Sequence, residues 1–364
     1  MLLLTIIIFI LVVSVVIVSH EFFHFIAAKK ARVRVEEFCI GYPPRIFKKK
    51  KGETVYSLGL FPGGGFVKIQ GMDTKEKEPH SFYSRTIKER FFIVFAGVVA
   101  NFLLAIILFS IGFSIGLPEA IGEKVPEGVK DIGISVVEVA KNSPAEIAGI
   151  KIGDKIIKIT DTQTREEKAI EEVVDVKNFT EAHLGQELII TLWRGDKILE
   201  KKVTAREKPP QGEGPIGIAM VKTARISYPW YKAIVKGVKN TFWLTKVTVE
   251  YVFKAVKGAI VGKPIKGVEV TGPIGIGILI SQMIDLGWIY VLQFTAILSL
   301  NLAIINILPF PALDGGRLIF LFIEEQISIH HNALIEKLVN NIGFAFLIIL
   351  MIIVSFQDIK RLIG

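Results

Sequence analysis

The segment that decides the fold is residues 2–24, LLLTIIIFILVVSVVIVSHEFFH. Its first part, Leu2–Val18, is uncharged throughout and has the length and composition of a membrane-crossing helix. His20 and His24 follow, four residues apart and therefore on one helix face, where they can bind a single metal ion together. Glu21 lies between them, placed to take a proton from a water molecule on that metal. Ionisable groups are costly in such a segment, so the pattern indicates a functional site.

The composition is that of a membrane protein with a substantial water-exposed part. Hydrophobic residues make up 51% of the 364 residues and the mean hydropathy is +0.50, yet 22% of the residues are charged. Soluble segments must therefore alternate with membrane spans. The first span lacks the basic start and small-residue cleavage site of a signal peptide, so we expect it to be retained. The uncharged runs predict four spans, namely residues 2–18, Phe91–Leu117, Leu286–Leu313 and Leu338–Gln357.

The charge distribution predicts the orientation of these spans. Residues 29–90 carry fifteen Lys or Arg against seven Asp or Glu, an excess of eight positive charges. The positive-inside rule places this loop in the cytoplasm, and residues 118–285 then lie outside it. The run Lys48–Lys51 is expected to touch anionic lipid. Nothing else in the sequence supports a nucleic-acid surface, so that class of partner is excluded.

A second acidic motif comes near the other end of the chain. Residues 306–316 read NILPFPALDGG and place Asp314 at the end of an apolar stretch. Alone, Asp314 would be an ordinary turn carboxylate before Gly315. Together with the two histidines it becomes a candidate third metal ligand.

Two glycine-containing segments complete the candidate site. Residues 55–61 and 66–69 alternate like strands around a glycine run, which predicts a hairpin whose edge could pair with an extended peptide. A plain surface turn fits this segment equally well. In the second predicted span, Gly97 and Asn101 have the spacing that lets helices approach closely, and we assign both to packing against the metal helix.

Residues 118–222 have a different character, with short alternating runs and repeated glycine turns. Ser143 and Pro144 predict the start of a short helix that Gly149 ends. The order of strands and short helices resembles a PDZ domain, which binds peptide by adding a strand to a sheet edge. Such a domain could instead act only as a bulky gate. Residues 228–261 then alternate apolar residues with six Lys, an amphipathic pattern suited to the membrane surface or to bracing this domain.

The motifs together resemble the site-2 protease family, and in layout the bacterial branch that cleaves membrane-bound anti-sigma factors. The resemblance covers nearly the whole chain in the same order, with a single PDZ-like domain in place of the tandem pair of some relatives. It rests on the following pieces: His20-Glu21-x-x-His24, the Gly63–Phe66 loop, Gly97-x-x-x-Asn101, the PDZ-like domain, and Asn306-x-x-Pro309-x-Pro311-x-Leu313-Asp314-Gly315.

The resemblance implies a zinc endopeptidase that works within the membrane. His20, His24 and Asp314 would bind Zn²⁺ and Glu21 would be the general base. Asn306 would hold the substrate backbone. The strand around Gly63, Gly64, Gly65 and Phe66 would pair with an extended substrate.

The expected substrate is a single-span membrane protein in regulated intramembrane proteolysis, either an anti-sigma factor or a signal-peptide remnant. The alternative from another class is a zinc-braced scaffold or receptor that captures peptide tails with its PDZ-like domain. Glu21 distinguishes the two hypotheses, because a purely structural metal site needs no general base beside its ligands. The sequence does not fix the oligomeric state.

The predicted fold is therefore a polytopic α-helical protein of the inner (cytoplasmic) membrane with four transmembrane helices. It has an inserted extracytoplasmic PDZ-like α+β domain and a cytoplasmic-side β-hairpin loop, with the active site toward the cytoplasm. The predicted segments are 1–28 (first span), 29–90 (basic loop), 91–117 (second span), 118–222 (PDZ-like domain), 223–285 (amphipathic linker and Gly/Pro entry), 286–317 (third span) and 318–364 (connecting helix and fourth span).

Overall fold

The computed structural model describes residues 2–72, 74, 78–122, 129–261, 271–327 and 333–363. Its helices are α1 (Leu2–Lys30), α2 (Ile87–Ile115), α3 (Pro144–Ile147), α4 (Val173–Ala182), α5 (Trp230–Ile260), α6 (Pro273–Leu286), α7 (Trp288–Ile307), α8 (Asp314–Ile327) and α9 (Ala333–Ile363). Its strands are β1 (Val35–Lys51), β2 (Thr54–Ile69), β3 (Leu117–Ala120), β4 (Lys130–Val139), β5 (Lys155–Asp161), β6 (Glu167–Ala169), β7 (Glu187–Arg194), β8 (Lys197–Thr204) and β9 (Ile218–Ile226).

Within the described residues, four helices are long and apolar enough to cross a membrane. They are α1, α2, α7 and the Lys337–Lys360 part of α9, and each coincides with one of the four predicted apolar runs. The most apolar window lies in α1, which continues without interruption through His20 and His24 to Lys30. The metal motif is therefore carried on the same rigid helix as the first apolar segment.

The predicted segment 286–317 is not one helix. Helix α7 ends at Ile307, residues 308–313 form a turn, and a new helix, α8, begins at Asp314. Pro309 and Pro311 lack the backbone N–H that a continuing helix needs and clash with its preceding turn. Asp314 consequently stands in the first turn of a helix rather than at the end of a span.

The chain divides into two compact units. The first comprises Met1–Ser110, Ile234–Ile280 and Gln293–Gly364, and the second comprises Ile111–Ala233 and Ser281–Leu292. The first unit contains the metal motif and the acidic motif. The second contains the predicted PDZ-like domain.

The sheet of the first unit is larger than the predicted hairpin. Strands β1 and β2 are antiparallel, and each bends so that four segments lie side by side in the order 65–69, 35–40, 54–59 and 45–51. Phe38, for example, pairs with Val67 on one side and with Tyr56 on the other. The run Lys48–Lys51 is therefore part of an edge strand, where lysines discourage further strand pairing.

The second unit is built on an antiparallel sheet whose strands do not follow the order of the chain. Its strands run in the order β3-β9-β4-β5-β7-β8, with β6 paired to β5, and α3 and α4 complete the domain. Ser143 accepts a hydrogen bond from the backbone N–H of Glu146 and caps α3, with Pro144 at its first position, as its sequence predicts. The last strand extends to Ile226, beyond the predicted boundary at 222, because its alternating pattern continues and its end pairs with β3.

The predicted linker 223–285 contains two helices, α5 and α6. Residues 262–270, which separate these helices, lie outside the described residues. Helix α6 begins at the predicted Gly/Pro break, and the backbone N–H groups of Gly272 and Gly275 both donate to Asp358 Oδ2 of α9, at 3.0 and 2.8 Å. A carboxylate from another helix thus satisfies the free N–H groups at the start of α6.

Candidate metal centre

Three side chains that are far apart in sequence converge on one point in the first unit. The Nε2 atoms of His20 and His24 are 3.1 Å apart, and Asp314 Oδ2 lies 3.1 Å from the first and 3.3 Å from the second. Both histidines are buried, and the Asp314 side chain is only 15% exposed. Among the described residues, this is the one cluster of His, Cys, Asp or Glu that could hold a metal ion.

The cluster fits zinc in the kind of its atoms and in their spacing. Zinc bonds of about 2.0–2.1 Å in tetrahedral geometry separate the ligand atoms by about 3.3–3.4 Å, close to the edges of this nearly equilateral triangle. Among the described residues, buried Asp314 Oδ2 has no hydrogen-bond partner beyond its approach to the two imidazoles, and a metal ion would satisfy this acceptor. Three protein ligands leave a fourth position open, as in catalytic zinc sites.

The second ring nitrogen of each histidine, Nδ1, faces a group on α2. His24 Nδ1 is 2.7 Å from the carbonyl oxygen of Ile93, so this nitrogen carries the proton and Nε2 is free to bind metal. His20 Nδ1 is 3.3 Å from the side-chain amide of Asn101, which is completely buried. With a metal on Nε2, His20 must donate from Nδ1, so Asn101 must present its oxygen there.

Glu21 lies on the same helix and is held by the sheet. Its Oε2 accepts a hydrogen bond of 3.1 Å from the backbone N–H of Val67 in β2. Because Val67 is in the outer segment of the sheet, this N–H points away from β1 and toward the metal helix. The carboxylate is therefore oriented by the backbone and leaves its other oxygen for a reacting molecule.

Gly97 of α2 lies against the imidazoles of His20 and His24. A methyl group added at Gly97 would overlap Nε2 of both His20 and His24. Because Gly97 has no side chain, the two imidazoles have room to approach each other. The sequence predicts a packing role for Gly97, and the groups that pack against it are the side chains of His20 and His24.

The glycine run of β2 follows α1 toward Glu21. Gly63 N donates to Ser14 Oγ at 3.2 Å, Gly65 lies near Val18, and Val67 contacts Glu21. Gly64 lies against the Tyr42 ring so closely that a methyl group would overlap it. Phe66 is half-buried in the same strand. The structure therefore brings an outer strand edge alongside the metal helix.

Asn306 is half-buried in the last turn of α7, before the proline pair. Its side chain makes no hydrogen bond to the described part of the chain. The turn that follows is tied to α9, because Asn340 accepts a hydrogen bond from the backbone N–H of Ala312. Gly315 and Gly316 allow α8 to start directly against the backbone of residues 307–310.

One buried ion pair near the site was not predicted. Arg90, in the first turn of α2, makes two hydrogen bonds to Glu324 of α8, at 3.0 and 2.9 Å, and its side chain is only 5% exposed. Its guanidinium also lies 4.9 Å from the centre of the Tyr83 ring. The signal in the sequence was that Arg90 directly precedes the apolar run from Phe91, where a charge needs a partner.

The sequence model described as Peptidase family M50 matches residues 8–350. This chain belongs to peptidase family M50. A Clostridium perfringens protein named as a zinc metalloprotease is 33% identical to this M50 peptidase over 346 residues, covering 95% of this chain and 96% of the relative. The regulator of sigma-W protease RasP of Bacillus subtilis is 28% identical over 440 residues, which cover 98% of this chain and 99% of the relative. Zinc metalloprotease RasP of Geobacillus kaustophilus is also 28% identical, over 443 residues and 98% of each chain.

These findings establish the general activity. This M50 peptidase is a membrane protein and a zinc-dependent metalloendopeptidase of the site-2 protease type. Among solved structures, the PDZ domain of an SdrC-like protein from Listeria monocytogenes aligns with 27% of this chain and 93% of its own, at 23% identity and a TM-score of 0.21.

Proposed function

We propose that His20, His24 and Asp314 hold the catalytic zinc and that Glu21 is the general base. The observation that carries this is the triangle of ligand atoms beside a carboxylate that the sheet backbone holds in place. When bound, zinc polarises a scissile carbonyl and makes water acidic enough to attack near neutral pH. Glu21 takes the proton from the attacking water and returns it to the leaving amine.

The substrate is a single-span membrane protein in an extended conformation at the cleavage point. A helix hides its carbonyl groups in hydrogen bonds and must unwind before any of them can be attacked. The outer edge of β2 from Gly63 to Phe66 offers backbone groups to such a strand, directly along α1. Asn306 supplies a side-chain amide that is free to bind the substrate backbone.

The active site faces the cytoplasm and its substrates include anti-sigma factors. The excess of basic residues in 29–90 supports the orientation, because this loop carries the sheet that contacts Glu21. The name of the Bacillus subtilis relative, regulator of sigma-W protease, supports the substrate class. The exposed apolar side chains Ile46, Phe47, Leu60 and Phe61 would let the tip of this sheet enter the membrane beside Lys48–Lys51.

The PDZ-like domain, spanning residues 118–226, lies outside the cytoplasm and binds a peptide tail. Strand β3 pairs only with the end of β9, from Thr223 to Ile226. Within the described residues, the part of β9 from Ile218 to Val221 therefore has one unpaired edge, which lies next to α4. Lys222 of β9 forms an ion pair with Glu172 at the start of α4. An extended peptide can add to that edge as a further strand.

The test is cleavage of a single-span reporter by purified wild-type protein and by Glu21→Gln, with zinc measured in both. We expect equal zinc and a loss of cleavage of about 10²–10⁴-fold in the variant, the usual contribution of a general base. Glu89→Gln, which changes a half-buried carboxylate at the start of α2, is the matched control and should keep full activity. Full cleavage by Glu21→Gln would disprove the mechanism. Equal zinc with no cleavage by wild type, with either an anti-sigma factor or a signal-peptide remnant, would favour a scaffold.

A further inference from the structure

Helix α5 has three distinct faces along its 31 residues. One face is buried and carries Ala233, Gly237 and Thr241, four residues apart. A methyl group at Gly237 would overlap Ser110 and approach the backbone of Ile106, so this face packs closely on α2. Since α2 is one of the apolar helices long enough to cross the membrane, α5 starts beside a membrane span.

The second face of α5 is apolar and exposed. At 100° per residue, six side chains fall within about 60° of the helix circumference, centred some 130° from the buried face. Phe242 is 61% exposed and Phe253 69% exposed. An apolar stripe of this length is unusual on a surface in contact with water and indicates a partner. Its members are Tyr231, Val235, Phe242, Val249, Phe253 and Val256.

The third face adjoins the apolar stripe and is basic. Lys232, Lys239, Lys246 and Lys257 fall on it, and Lys236 and Lys254 lie at its far border. Glu250 is the single acidic residue of the helix. Lysines bordering an apolar stripe can bury their hydrocarbon stems while their ammonium groups stay at the polar boundary.

The occupant of the stripe must match both its apolar and its basic character. The helix cannot cross the bilayer, because any transmembrane placement would bury Lys239 or Lys246 in hydrocarbon. A second protein helix would satisfy the apolar stripe without accounting for the lysines beside it. The interface of an anionic bilayer satisfies both, with acyl chains under the stripe and phosphates beside the lysines.

We propose that α5 is an interfacial helix that binds anionic phospholipid headgroups through its lysine face. The helix is about 45 Å long, enough to contact several lipids along its length. This goes beyond the catalytic assignment, and a lipid-contact measurement tests it whether or not the protein cleaves a given substrate. The expected behaviour is that α5 enters the interface more deeply when anionic lipid is present and salt is low.

The experiment places one fluorescent label on the apolar stripe of the full-length protein. Cys39 is replaced by Ser and Val249 by Cys, which is labelled with an environment-sensitive dye; Val256→Cys is a second label site if the first variant fails to fold. The protein is reconstituted in phosphatidylcholine alone or mixed with phosphatidylglycerol, with and without lipids that carry a quencher on the acyl chain. The triple variant Lys232→Gln, Lys239→Gln, Lys246→Gln removes the basic face, and Lys197→Gln, Lys202→Gln, Lys208→Gln is the matched control.

We expect a blue-shifted emission, quenched by the labelled lipid, that strengthens with phosphatidylglycerol. The triple α5 variant should need a severalfold higher phosphatidylglycerol fraction for the same quenching, whereas the control triple should not change. Water-like emission in every bilayer would overturn the proposal. So would a blue shift that labelled lipid cannot quench, since a protein would then cover the stripe. If the quenching depended neither on the phosphatidylglycerol fraction nor on the α5 lysines, the proposed binding of anionic headgroups would be wrong.

Discussion

Gly97 and His24 are in such close contact that no side chain larger than hydrogen fits between them. The same position of α2 also faces His20, so one glycine sets the space for both proposed ligands. The positions of His20 and His24 therefore depend on α2 as well as on their own helix. The proposed metal centre should therefore be sensitive to substitution of Gly97, which is not itself a proposed ligand.

The first prediction concerns that glycine. Gly97→Ala should reduce zinc binding by more than about a hundredfold, because its methyl group would displace the imidazoles that must meet on the ion. The helix itself should remain, since Ala favours helix more than Gly does. Zinc content and circular dichroism of the purified variant measure both effects. Gly112→Ala, in the same helix but facing the flexible side chain of Leu117, is the control and should keep its zinc. Normal zinc in Gly97→Ala would show that the ligands do not meet as proposed.

The second prediction concerns Asn101. Asn101→Ala should weaken zinc binding about 10- to 100-fold, because it removes the acceptor that orients His20. Asn101→Asp keeps an acceptor oxygen at the same place and should retain most of the affinity. Competition with a zinc chelator of known affinity gives the dissociation constants. If Ala and Asp lowered the affinity equally, the amide would be needed for packing and not for orienting the imidazole.

Much of the site could be predicted because its residues stand in short, strongly constrained patterns. The spacing of His20 and His24 alone places them on one helix face, and the apolar run before them has the length and composition of a membrane span. The motif around Asp314 made it a candidate third ligand, but nothing local brings residue 314 to residue 20, so the complete ligand set rested on the resemblance. Its position at the start of α8 follows from Pro309 and Pro311, which sequence reasoning treated as part of a span.

The contacts that hold the site together could not be predicted in the same way. The hydrogen bonds from Val67 to Glu21 and from His24 to the Ile93 carbonyl involve backbone groups, which every residue carries. Which backbone groups make these hydrogen bonds depends on how the sheet and α2 pack against α1, and that tertiary packing cannot be read from the local sequence. The extent of β1 was missed because Lys48–Lys51 lacks the alternation that marks a half-buried strand.

The third prediction tests the outer strand of the sheet. Gly64→Ala should lower cleavage, because the added methyl group would overlap the Tyr42 ring and push the strand out of line with α1. Tyr42→Ala removes that ring, so the double variant should recover much of the lost activity. The measurement is kcat/KM for a single-span reporter in all four proteins. A double variant no better than Gly64→Ala would show that the glycine is needed for some other reason, such as direct contact with substrate.

The fourth prediction is a pH dependence of the same sheet. The guanidinium of Arg45, followed by the hydroxyl of Ser57, lowers the pKa of Glu37 below its ordinary value of 4.5. A depressed carboxyl pKa stabilises the folded state above the ordinary value, and that contribution is lost as pH falls through the lower folded-state pKa. The protection of β1 and β2 amides, meaning their exchange relative to the intrinsic rate at the same pH, should therefore fall below about pH 4.5. Glu37→Gln should exchange faster at neutral pH and lose this acid-induced step. An unchanged step in Glu37→Gln would assign it to another carboxylate.

The last prediction concerns the ion pair between Arg90 and Glu324, which links α2 to α8. Asp314 begins α8, so the pair fixes the helix that presents the third proposed ligand. Removing one partner leaves the other partly buried without its counter-charge, so Arg90→Met or Glu324→Gln should each destabilise the protein by about 2–4 kcal/mol. The double variant should be less destabilised than the sum of the two, because no unpaired charge remains. Thermal unfolding in detergent gives the stabilities and zinc content reports on Asp314. Strict additivity would show that the two residues do not interact, whereas unchanged zinc in the destabilised variants would show that α8 keeps its position without them.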